Sequence, residues 1–192
     1  MTVAGLILAG GKATRFGGAD KAFIQLAGRP LVEHVLARLS PQLSCLAISA
    51  NGDPARFAAY ECPVLPDDPA FCDCGPLAGV LSGLRWAAMQ KIDFLLTSPV
   101  DTPFIPQDLL ARLLPGPSVA VEEGQVHALT ALWPVAFAAD LALFLHHPGK
   151  HKVTEALGLC QARPVIFPVV AGVFANINSA VEMEDFTRGL AT

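Results

Sequence analysis

"VAGLILAGGKATRFGGADK", residues 3–21, joins a short apolar run to a glycine-rich segment that carries three cations. The apolar run, residues 3–9, is typical of a strand buried on both faces of a parallel sheet, and Gly10 and Gly11 end it. Glycine lets backbone N–H groups approach an anion closely, and a nest of such groups favours phosphate. The stretch therefore predicts a buried strand followed by a phosphate-binding loop.

The order of strand, loop and helix repeats through the first hundred residues. Apolar residues recur at helical spacing over residues 31–39 and again over 77–84. Further strands are predicted at 45–49, within 62–68 and at 92–97, and the last of these is predicted to be buried. This alternation indicates the α/β class, as a three-layer sandwich with a mostly parallel, Rossmann-like nucleotide-binding sheet.

The second half of the chain is less regular. Its predicted strands are 118–123, 128–133 and 164–168, and its predicted helices are 135–147, 152–160 and 179–190. No linker or repeat separates the two halves, and 192 residues suit a single domain. We therefore expect one domain that spans residues 1–192.

Composition narrows the class of partner. The chain is 53% hydrophobic and 16% charged, yet no apolar run reaches the roughly 18 residues that a spanning helix needs. The first residues lack the basic start of a secretory signal, so we expect a cytoplasmic protein. A net charge of −4 argues against binding to nucleic acid or to anionic membranes. Small-molecule substrates fit the composition better.

The five cysteines do not predict a disulfide framework, because their number is odd in a chain of this size. Cys72 and Cys74 in "FCDCG" are either half of a metal site or two incidental thiols in a loop. The strong zinc signature needs further cysteines or histidines at matching spacing, and the sequence has none.

Four polar segments each follow a predicted strand: residues 9–18, 49–53, 65–68 and 98–103. Ligands of such sheets bind beyond the carboxyl ends of the strands. We call this edge of the sheet the carboxyl edge, and we expect the four segments to meet there.

The charged side chains of these segments suit a polyphosphate. Lys12, Arg15 and Lys21 surround the glycines, and their cations can neutralise charge that the backbone cannot reach. Asp101 follows a buried strand, and a single carboxylate with phosphate oxygens is a common magnesium site. The alternative for Asp101 is a turn cap before Pro103. The sequence contains neither the P-loop motif nor the dinucleotide-binding fingerprint, so the predicted loop binds phosphate through a different motif.

Several motifs together closely resemble the molybdenum cofactor guanylyltransferases, nearly from end to end. They are "LAGG" at 8–11, "R-x-G-G-x-D-K" at 15–21, "GPLAG" at 75–79, "VDTP" at 100–103 and "NIN" at 176–178. The resemblance implies the family's nucleotidyltransferase fold and its reaction. In that reaction the terminal phosphate of molybdopterin, or of its molybdenum-loaded form, attacks the α-phosphorus of GTP and releases pyrophosphate.

The resemblance also implies roles for individual residues. Arg15, Lys21 and Asp101 would be catalytic, and Asp101 would hold Mg²⁺, the only cofactor expected. The nucleotide-binding residues would be Leu8, Ala9, Gly10, Gly11, Lys21, Asn51, Asp67 and Asp101.

The second substrate would bind to the later part of the chain, with residues 1–105 as the nucleotide-binding half and 106–192 as the pterin-substrate half. Lys150 and Lys152 precede a predicted helix and would meet the pterin's phosphate; a solvated charge run is the alternative. Asn176 and Asn178 would bind the pterin, or else cap the last helix.

Transfer of this kind needs alignment and charge stabilisation rather than a covalent intermediate. Transient contacts with cofactor-synthesis proteins and with acceptor molybdoenzymes would follow from the reaction. Two other functions stay open on the residues alone. One is a cytidylyltransferase or another nucleotidyltransferase on the same scaffold, and the other is a non-catalytic nucleotide-binding protein.

Overall fold

A seven-stranded sheet forms the middle layer of the protein, in the order β5-β4-β1-β6-β8-β7-β9. The structure is a computed structural model that describes residues 1–10, 20–149, 151–170 and 172–177. The strands are β1 (Val3–Leu8), β4 (Cys45–Ser49), β5 (Val64–Leu65), β6 (Phe94–Pro99), β7 (Ser118–Glu122), β8 (Gln125–Pro134) and β9 (Arg163–Ile166). A separate antiparallel pair consists of β2 (Gln25–Leu26) and β3 (Arg29–Pro30).

The sheet is mostly parallel, which confirms the predicted class. Strand β1 is parallel to β4 and β6, β4 to β5, and β7 to β9. Strand β8 alone runs the other way, antiparallel to β6 and β7. Only Glu123 and Gly124 join β7 to β8, and both have positive φ, 48° and 77°. A two-residue connection with positive φ is a tight hairpin, so β8 has to reverse direction.

Helices cover both faces of the sheet. They are α1 (Leu31–Leu39), α2 (Pro76–Met89), α3 (Leu109–Leu113), α4 (Ala138–His146) and α5 (Val153–Leu159). Helices α1 and α3 share one hydrophobic cluster with Ile7, whereas α2, α4 and α5 share the other with Leu6. Strand β1 is therefore buried on both faces, as its unbroken apolar run predicts.

Two glycines of α2 bring this helix unusually close to the sheet. A Cβ atom on Gly79 would lie 2.4 Å from the Ser49 hydroxyl oxygen, and one on Gly83 would lie 2.5 Å from a methyl carbon of Leu6. Neither position has room for a side chain. The "GPLAG" motif thus places the first turn of α2 directly against the ends of β1 and β4.

The predicted elements of the second half are largely confirmed, with differences at their ends. Residues 135–147 contain a 3₁₀ turn followed by α4, and β8 begins earlier than predicted. Strand β9 spans Arg163–Ile166 rather than 164–168, because it pairs with β7 only as far as Ile166. The predicted helix at 179–190 lies outside the described residues. Trp133 and Trp86 are buried in the core.

None of the helices in the described part of the chain is both long and apolar enough to cross a membrane.

Candidate active site

The polar segments that follow β1, β4, β5 and β6 lie side by side, because backbone hydrogen bonds connect these strands up to the carboxyl edge. The bonding amides and carbonyls are Ala9 to Ser49 at 2.9 Å, Ala50 to Leu65 at 3.1 Å and Val100 to Leu8 at 3.1 Å. The predicted meeting of these segments at one edge is therefore confirmed for their described residues.

Lys21 and Asp101 form an ion pair at this edge, although 80 positions separate them in the sequence. The Lys21 ammonium donates to the Asp101 carboxylate at 2.5 Å, and the two side chains are 23% and 19% exposed. Lys21 begins a short 3₁₀ helix, Lys21–Phe23, whose first turn is capped by the Asp20 carboxylate accepting from the Ala22 amide at 3.1 Å. A cation and an acidic group thus lie together, accessible but partly shielded from water.

The topology explains why this pair occupies a natural ligand position. The connection from β1 to β4 runs through α1 on one face, and that from β5 to β6 runs through α2 on the opposite face. The chain therefore switches direction between β1 and β6, and ligands of open α/β sheets bind at such a switch point. Lys21 follows β1 and Asp101 follows β6, so both lie at the switch.

Asn51 and Asp67 form a reciprocal pair on the neighbouring loops. The Asn51 amide nitrogen donates to the Asp67 carboxylate at 2.7 Å, and the Asp67 backbone N–H donates to the Asn51 amide oxygen at 2.9 Å. Asn51 is exposed, and the pair joins the loop after β4 to the loop after β5. Ser49, which precedes this loop, is buried at the end of β4.

Arg56 connects this pair to the start of the Lys21 helix, a role that the sequence did not reveal. One guanidinium nitrogen donates to the Asn51 carbonyl at 2.6 Å, and another lies 3.1 Å from the Asp20 carboxylate. The guanidinium also stacks over the Phe57 ring, 4.9 Å from its centroid. No sequence motif includes Arg56; its only signal is a cation shortly after a predicted polar loop.

A short segment, residues 172–177, lies beside Asp101. The Ile177 N–H donates to the Asp101 carbonyl at 2.8 Å, and Ile177 is fully buried. Phe174, also buried, stacks on the His127 ring with centroids 4.5 Å apart. Asn176 is exposed between these two anchors. It therefore faces solvent close to the Lys21–Asp101 pair.

His127 and Glu122 form a second polar pair near this segment. His127 belongs to β8, whose beginning reaches the carboxyl edge because β8 runs opposite to the other strands. The His127 imidazole lies 4.0 Å from the Glu122 carboxylate, and its side chain is 13% exposed. Burial lowers the pKa of His127, and the negative charge of Glu122 opposes part of that effect. Burial therefore favours the neutral imidazole over the protonated one.

We predict that His127 makes the fold sensitive to mild acid. A histidine has a pKa near 6.5 when unfolded, so below about that pH the unfolded chain binds the proton more readily than the folded one. The free energy of unfolding should therefore fall as the pH drops from about 7.5 to 5.5, and should fall less in His127→Phe, which keeps a ring against Phe174. Urea denaturation at three pH values measures this. The exposed His147, changed to Gln, is the control; parallel curves for wild type and His127→Phe would contradict the prediction.

The other predicted residues are placed as follows. Leu8 and Ala9 are buried at the end of β1, and Gly10 after them is exposed. Lys152 is exposed and immediately precedes α5, which starts at the carboxyl edge because it leads to the opposite end of β9. Gly11, Lys12, Arg15, Lys150 and Asn178 lie outside the described residues.

Cys72 and Cys74 are free thiols, and Cys72 is exposed. Within residues 1–10, 20–149, 151–170 and 172–177, no group of three or more His, Cys, Asp or Glu side chains is arranged to hold a metal ion. The described part of the chain therefore supplies no third ligand that would turn these two thiols into a metal site.

Taken together, the carboxyl edge presents a cation and a carboxylate at the switch point, a fixed polar pair on one side and an exposed asparagine on the other. A cation suits phosphate, a carboxylate suits a divalent metal, and the flanking polar groups can contact two further parts of a ligand. This arrangement suits a reaction between a nucleoside triphosphate and a second polar substrate.

Comparison with known proteins agrees with a reaction of a nucleoside triphosphate. The profile of the family described as "MobA-like NTP transferase domain" matches residues 5–162. A molybdenum cofactor guanylyltransferase of Cereibacter sphaeroides is 57% identical over 192 residues, which cover 98% of this chain and 95% of the relative. Another, from Acidiphilium cryptum, is 47% identical over 184 residues and covers 96% and 93%.

Solved structures share the fold. The molybdopterin-guanine dinucleotide biosynthesis protein A of Archaeoglobus fulgidus aligns with a TM-score of 0.73 at 21% identity, covering 100% of this chain and 99% of that one. The 4-diphosphocytidyl-2C-methyl-D-erythritol synthase of Anaerococcus prevotii aligns with a TM-score of 0.72 at 12% identity, covering 100% and 96%. The profile match covers more than half of the sequence, and the curated relatives extend it to nearly the whole length. The chain belongs to the MobA-like NTP transferase family and is a nucleotidyltransferase.

Proposed function

We propose that the chain transfers GMP from GTP to the terminal phosphate of molybdopterin or of the molybdenum cofactor, releases pyrophosphate and requires Mg²⁺. The observation that carries the proposal is the Lys21–Asp101 pair at the switch point of the sheet. The choice of GTP and of a molybdopterin acceptor rests on relatives that carry the name molybdenum cofactor guanylyltransferase at 47% and 57% identity.

In this proposal the nucleotide lies along the carboxyl edge from β5 to β6. Asn51 and Asp67 contact the nucleoside, and Lys21 contacts the phosphates. Leu8, Ala9, Gly10 and Gly11 form the floor beneath them, and Arg15 steadies the triphosphate. Among the described residues, a Cβ atom on Gly10 would meet only the Ser49 carbonyl, at 4.0 Å. Glycine at this exposed position suits close approach of a ligand.

Asp101 is the residue that would hold Mg²⁺. Its carboxylate is a hard oxygen donor, 19% exposed, beside a phosphate-binding cation. Mg²⁺ usually takes one or two protein carboxylates and completes its octahedron with phosphate oxygens and water, so one carboxylate at this edge fits the ion. When bound, the ion would supply stabilisation of the negative charge that develops on the phosphate oxygens.

The side chains then have to align two phosphates and stabilise charge. The attacking phosphate of the acceptor is largely ionised near neutral pH, since the second pKa of a phosphate monoester is about 6, so no general base is required. Its oxygen attacks the α-phosphorus of GTP, and the bond to the bridging oxygen of pyrophosphate breaks. Lys21 neutralises charge on the triphosphate, and Asn51 with Asp67 keeps the nucleoside from rotating away from the line of attack.

The acceptor is assigned to the other side of Asp101. Asn176, together with Asn178, would contact the pterin, and Lys150 with Lys152 would contact its phosphate. The three residue-to-residue backbone steps from Phe174 to Ile177 span at most about 11 Å. The Ile177 N–H is bonded to the Asp101 carbonyl, so Asn176 lies within reach of a molecule whose phosphate is bound at Asp101. We retain residues 1–105 as the nucleotide half and 106–192 as the acceptor half. A cytoplasmic location and transient contacts with cofactor-synthesis proteins and acceptor molybdoenzymes are part of the same proposal.

A nucleotide panel tests the proposed function. Purified protein is incubated with molybdopterin and, in separate reactions, GTP, ATP, CTP or UTP, with Mg²⁺ or with excess EDTA, and pyrophosphate release is followed. We expect rapid release with GTP and Mg²⁺, and little in the other reactions. A preference for CTP would replace guanylyl transfer by cytidylyl transfer. Tight GTP binding without product would instead favour a non-catalytic nucleotide-binding protein.

A further inference from the structure

Arg56 joins two loops that the proposed function uses for different parts of the nucleotide. On one side its guanidinium donates at 2.6 Å to the carbonyl of Asn51. Asn51 belongs to the loop between β4 and Pro54, residues 50–53, which we call the nucleoside loop. On the other side it lies 3.1 Å from the carboxylate of Asp20, the residue before Lys21. Asn51 is hydrogen-bonded to Asp67, and Lys21 to Asp101. Arg56 therefore completes a chain of contacts that runs from Asp67 to Asp101.

The geometry uses properties that only arginine has. A planar guanidinium has several N–H donors in fixed directions and a flat face that stacks on an aromatic ring. Arg56 donates a hydrogen bond to Asn51 from one nitrogen, and its face covers Phe57 at 4.9 Å. A second nitrogen lies 3.1 Å from the Asp20 carboxylate, an ion pair without hydrogen-bond geometry. The Arg56 side chain is 33% exposed and that of Asp20 25%. The pair is thus better shielded from water than a solvated surface ion pair, which contributes little.

Asp20 in turn controls the position of Lys21. One of its carboxylate oxygens caps the Lys21–Phe23 helix through the Ala22 amide at 3.1 Å, and the other faces Arg56. A movement of Arg56 therefore acts on the cap and, through it, on the ammonium group that faces Asp101. Small displacements of aligned groups are costly, since a shift of about 1 Å can reduce turnover by about a hundredfold.

We propose that Arg56 is a positioning residue that couples seating of the base at Asn51 and Asp67 to the placement of Lys21 against the phosphates. A base that does not fit the nucleoside loop disturbs the Asn51 carbonyl, loosens Arg56 and displaces Asp20. Discrimination between nucleotides then appears in turnover as well as in binding. This inference rests on the proposed use of a nucleoside triphosphate, but not on that nucleotide being GTP.

The chain contains a matched control for the ion pair. Arg85, in α2, donates to Asp68 at 2.6 Å and stacks over Phe71 at 5.6 Å, so it makes the same kinds of contact with the loop after β5. Its partner caps a different 3₁₀ helix, Pro69–Phe71. Asp68 follows Asp67, so Arg85→Met removes an arginine, a more exposed ion pair and a ring contact beside the nucleoside site, but it breaks no contact with Asn51 or with the Lys21 helix.

The test compares steady-state kinetics of wild type, Arg56→Met, Arg56→Lys, Asp20→Asn, the Arg56→Met/Asp20→Asn double variant and Arg85→Met. We expect Arg56→Met to lower kcat/KM for the preferred nucleotide by about tenfold. The ratio of kcat/KM between the preferred and the second-best nucleotide should fall as well, and the KM for the acceptor should not change. Arg56→Lys should recover part of the loss, and Arg85→Met should stay within about twofold of wild type. Asp20→Asn keeps a side-chain oxygen that can accept from the Ala22 amide, so this variant tests the loss of the negative charge that faces Arg56.

The double variant decides between coupling and two separate effects. If Arg56 acts through Asp20, the double variant is no worse than the poorer single variant, because the second change removes a contact that is already lost. Multiplied losses, or an Arg56→Met variant that behaves like Arg85→Met, would overturn the proposal. Thermal unfolding is measured in parallel, and if Arg56→Met does not fold, Arg56→Lys and Asp20→Asn carry the comparison.

A failure of the proposed function is recognisable in the same experiment, because wild type would then form no product with any nucleoside triphosphate. In that case the affinity for each Mg²⁺-nucleotide is measured by calorimetry for the same variants. Loss of affinity and of base preference in Arg56→Met, but not in Arg85→Met, supports the coupling; equal affinities in both overturn it.

Discussion

Asp101→Asn is expected to lower nucleotidyl transfer by about a hundredfold or more, the scale seen when one organised electrostatic group is removed from an active site. The amide has the same shape as the carboxylate, and the backbone carbonyl of Asp101 still accepts from Ile177. The change therefore removes a negative charge and a hard metal ligand while leaving the segment at 172–177 attached. Pyrophosphate release at saturating GTP and a series of Mg²⁺ concentrations measures it.

The control for this variant is Asp140→Asn, which changes an exposed carboxylate in the first turn of α4. We expect its turnover to match wild type. The Asp101→Asn variant should also need more Mg²⁺ for half-maximal rate, since it has lost the proposed ligand. Turnover like that of wild type at the same Mg²⁺ concentration would remove Asp101 from the reaction and with it the assignment of the carboxyl edge.

Lys21→Met is the second change with a large expected effect, again about a hundredfold in kcat/KM for the nucleotide. Methionine keeps most of the length and the apolar stem but has no charge, so the triphosphate loses a cation and Asp101 loses the partner that lies 2.5 Å away in the free protein. The KM for GTP should rise because the cation contacts the phosphates in the ground state, and kcat should fall because this contact strengthens as charge develops in the transition state.

Lys91→Met serves as the control, since Lys91 is exposed after the end of α2. Its kinetics should equal those of wild type. All nucleoside triphosphates carry the same phosphates, whatever their base. Lys21→Met should therefore lower the rate with every nucleotide by a similar factor and leave the base preference unchanged. A loss confined to one nucleotide would contradict a phosphate-binding role for Lys21.

The sequence predicts the first half of the fold well because its signals are local. Strands β1, β4 and β6 are apolar runs ended by glycine, polar or proline residues, and burial on both faces makes them easy to recognise. The reversal of β8 was harder to predict, since the predicted strands 118–123 and 128–133 left a gap of four residues. The actual strands leave only Glu123 and Gly124 between them.

Short elements were missed for a different physical reason. Helix α3 has five residues, and β2 and β3 have two each. Elements of this length are too short to show a hydrophobic period, and contacts with the rest of the chain stabilise them. The turn between β2 and β3 consists of Ala27 and Gly28, both with positive φ, but a single glycine beside alanine is a weak signal for a hairpin.

The same distinction applies to the candidate site. Lys21 and Asp101 belong to motifs that also follow predicted strands, so their meeting at the carboxyl edge could be expected. Arg56 could not be found in this way, because its role depends on contacts with Asn51 and with Asp20, 36 positions earlier in the chain. The stacking of Phe174 on His127 is likewise a contact between distant segments, and no local pattern encodes it.

The mutual attraction of Lys21 and Asp101 has a thermodynamic consequence for a protein that meets many ions. A free anion that binds Lys21, or a free divalent cation that binds Asp101, competes with the attraction between these two groups. A metal–nucleotide complex supplies both opposite charges at once and leaves neither group uncompensated. Positive cooperativity between metal and nucleotide should result, each tightening the other by the same factor, as linkage requires. The pair would in this way favour the metal–nucleotide complex over inorganic phosphate or magnesium alone.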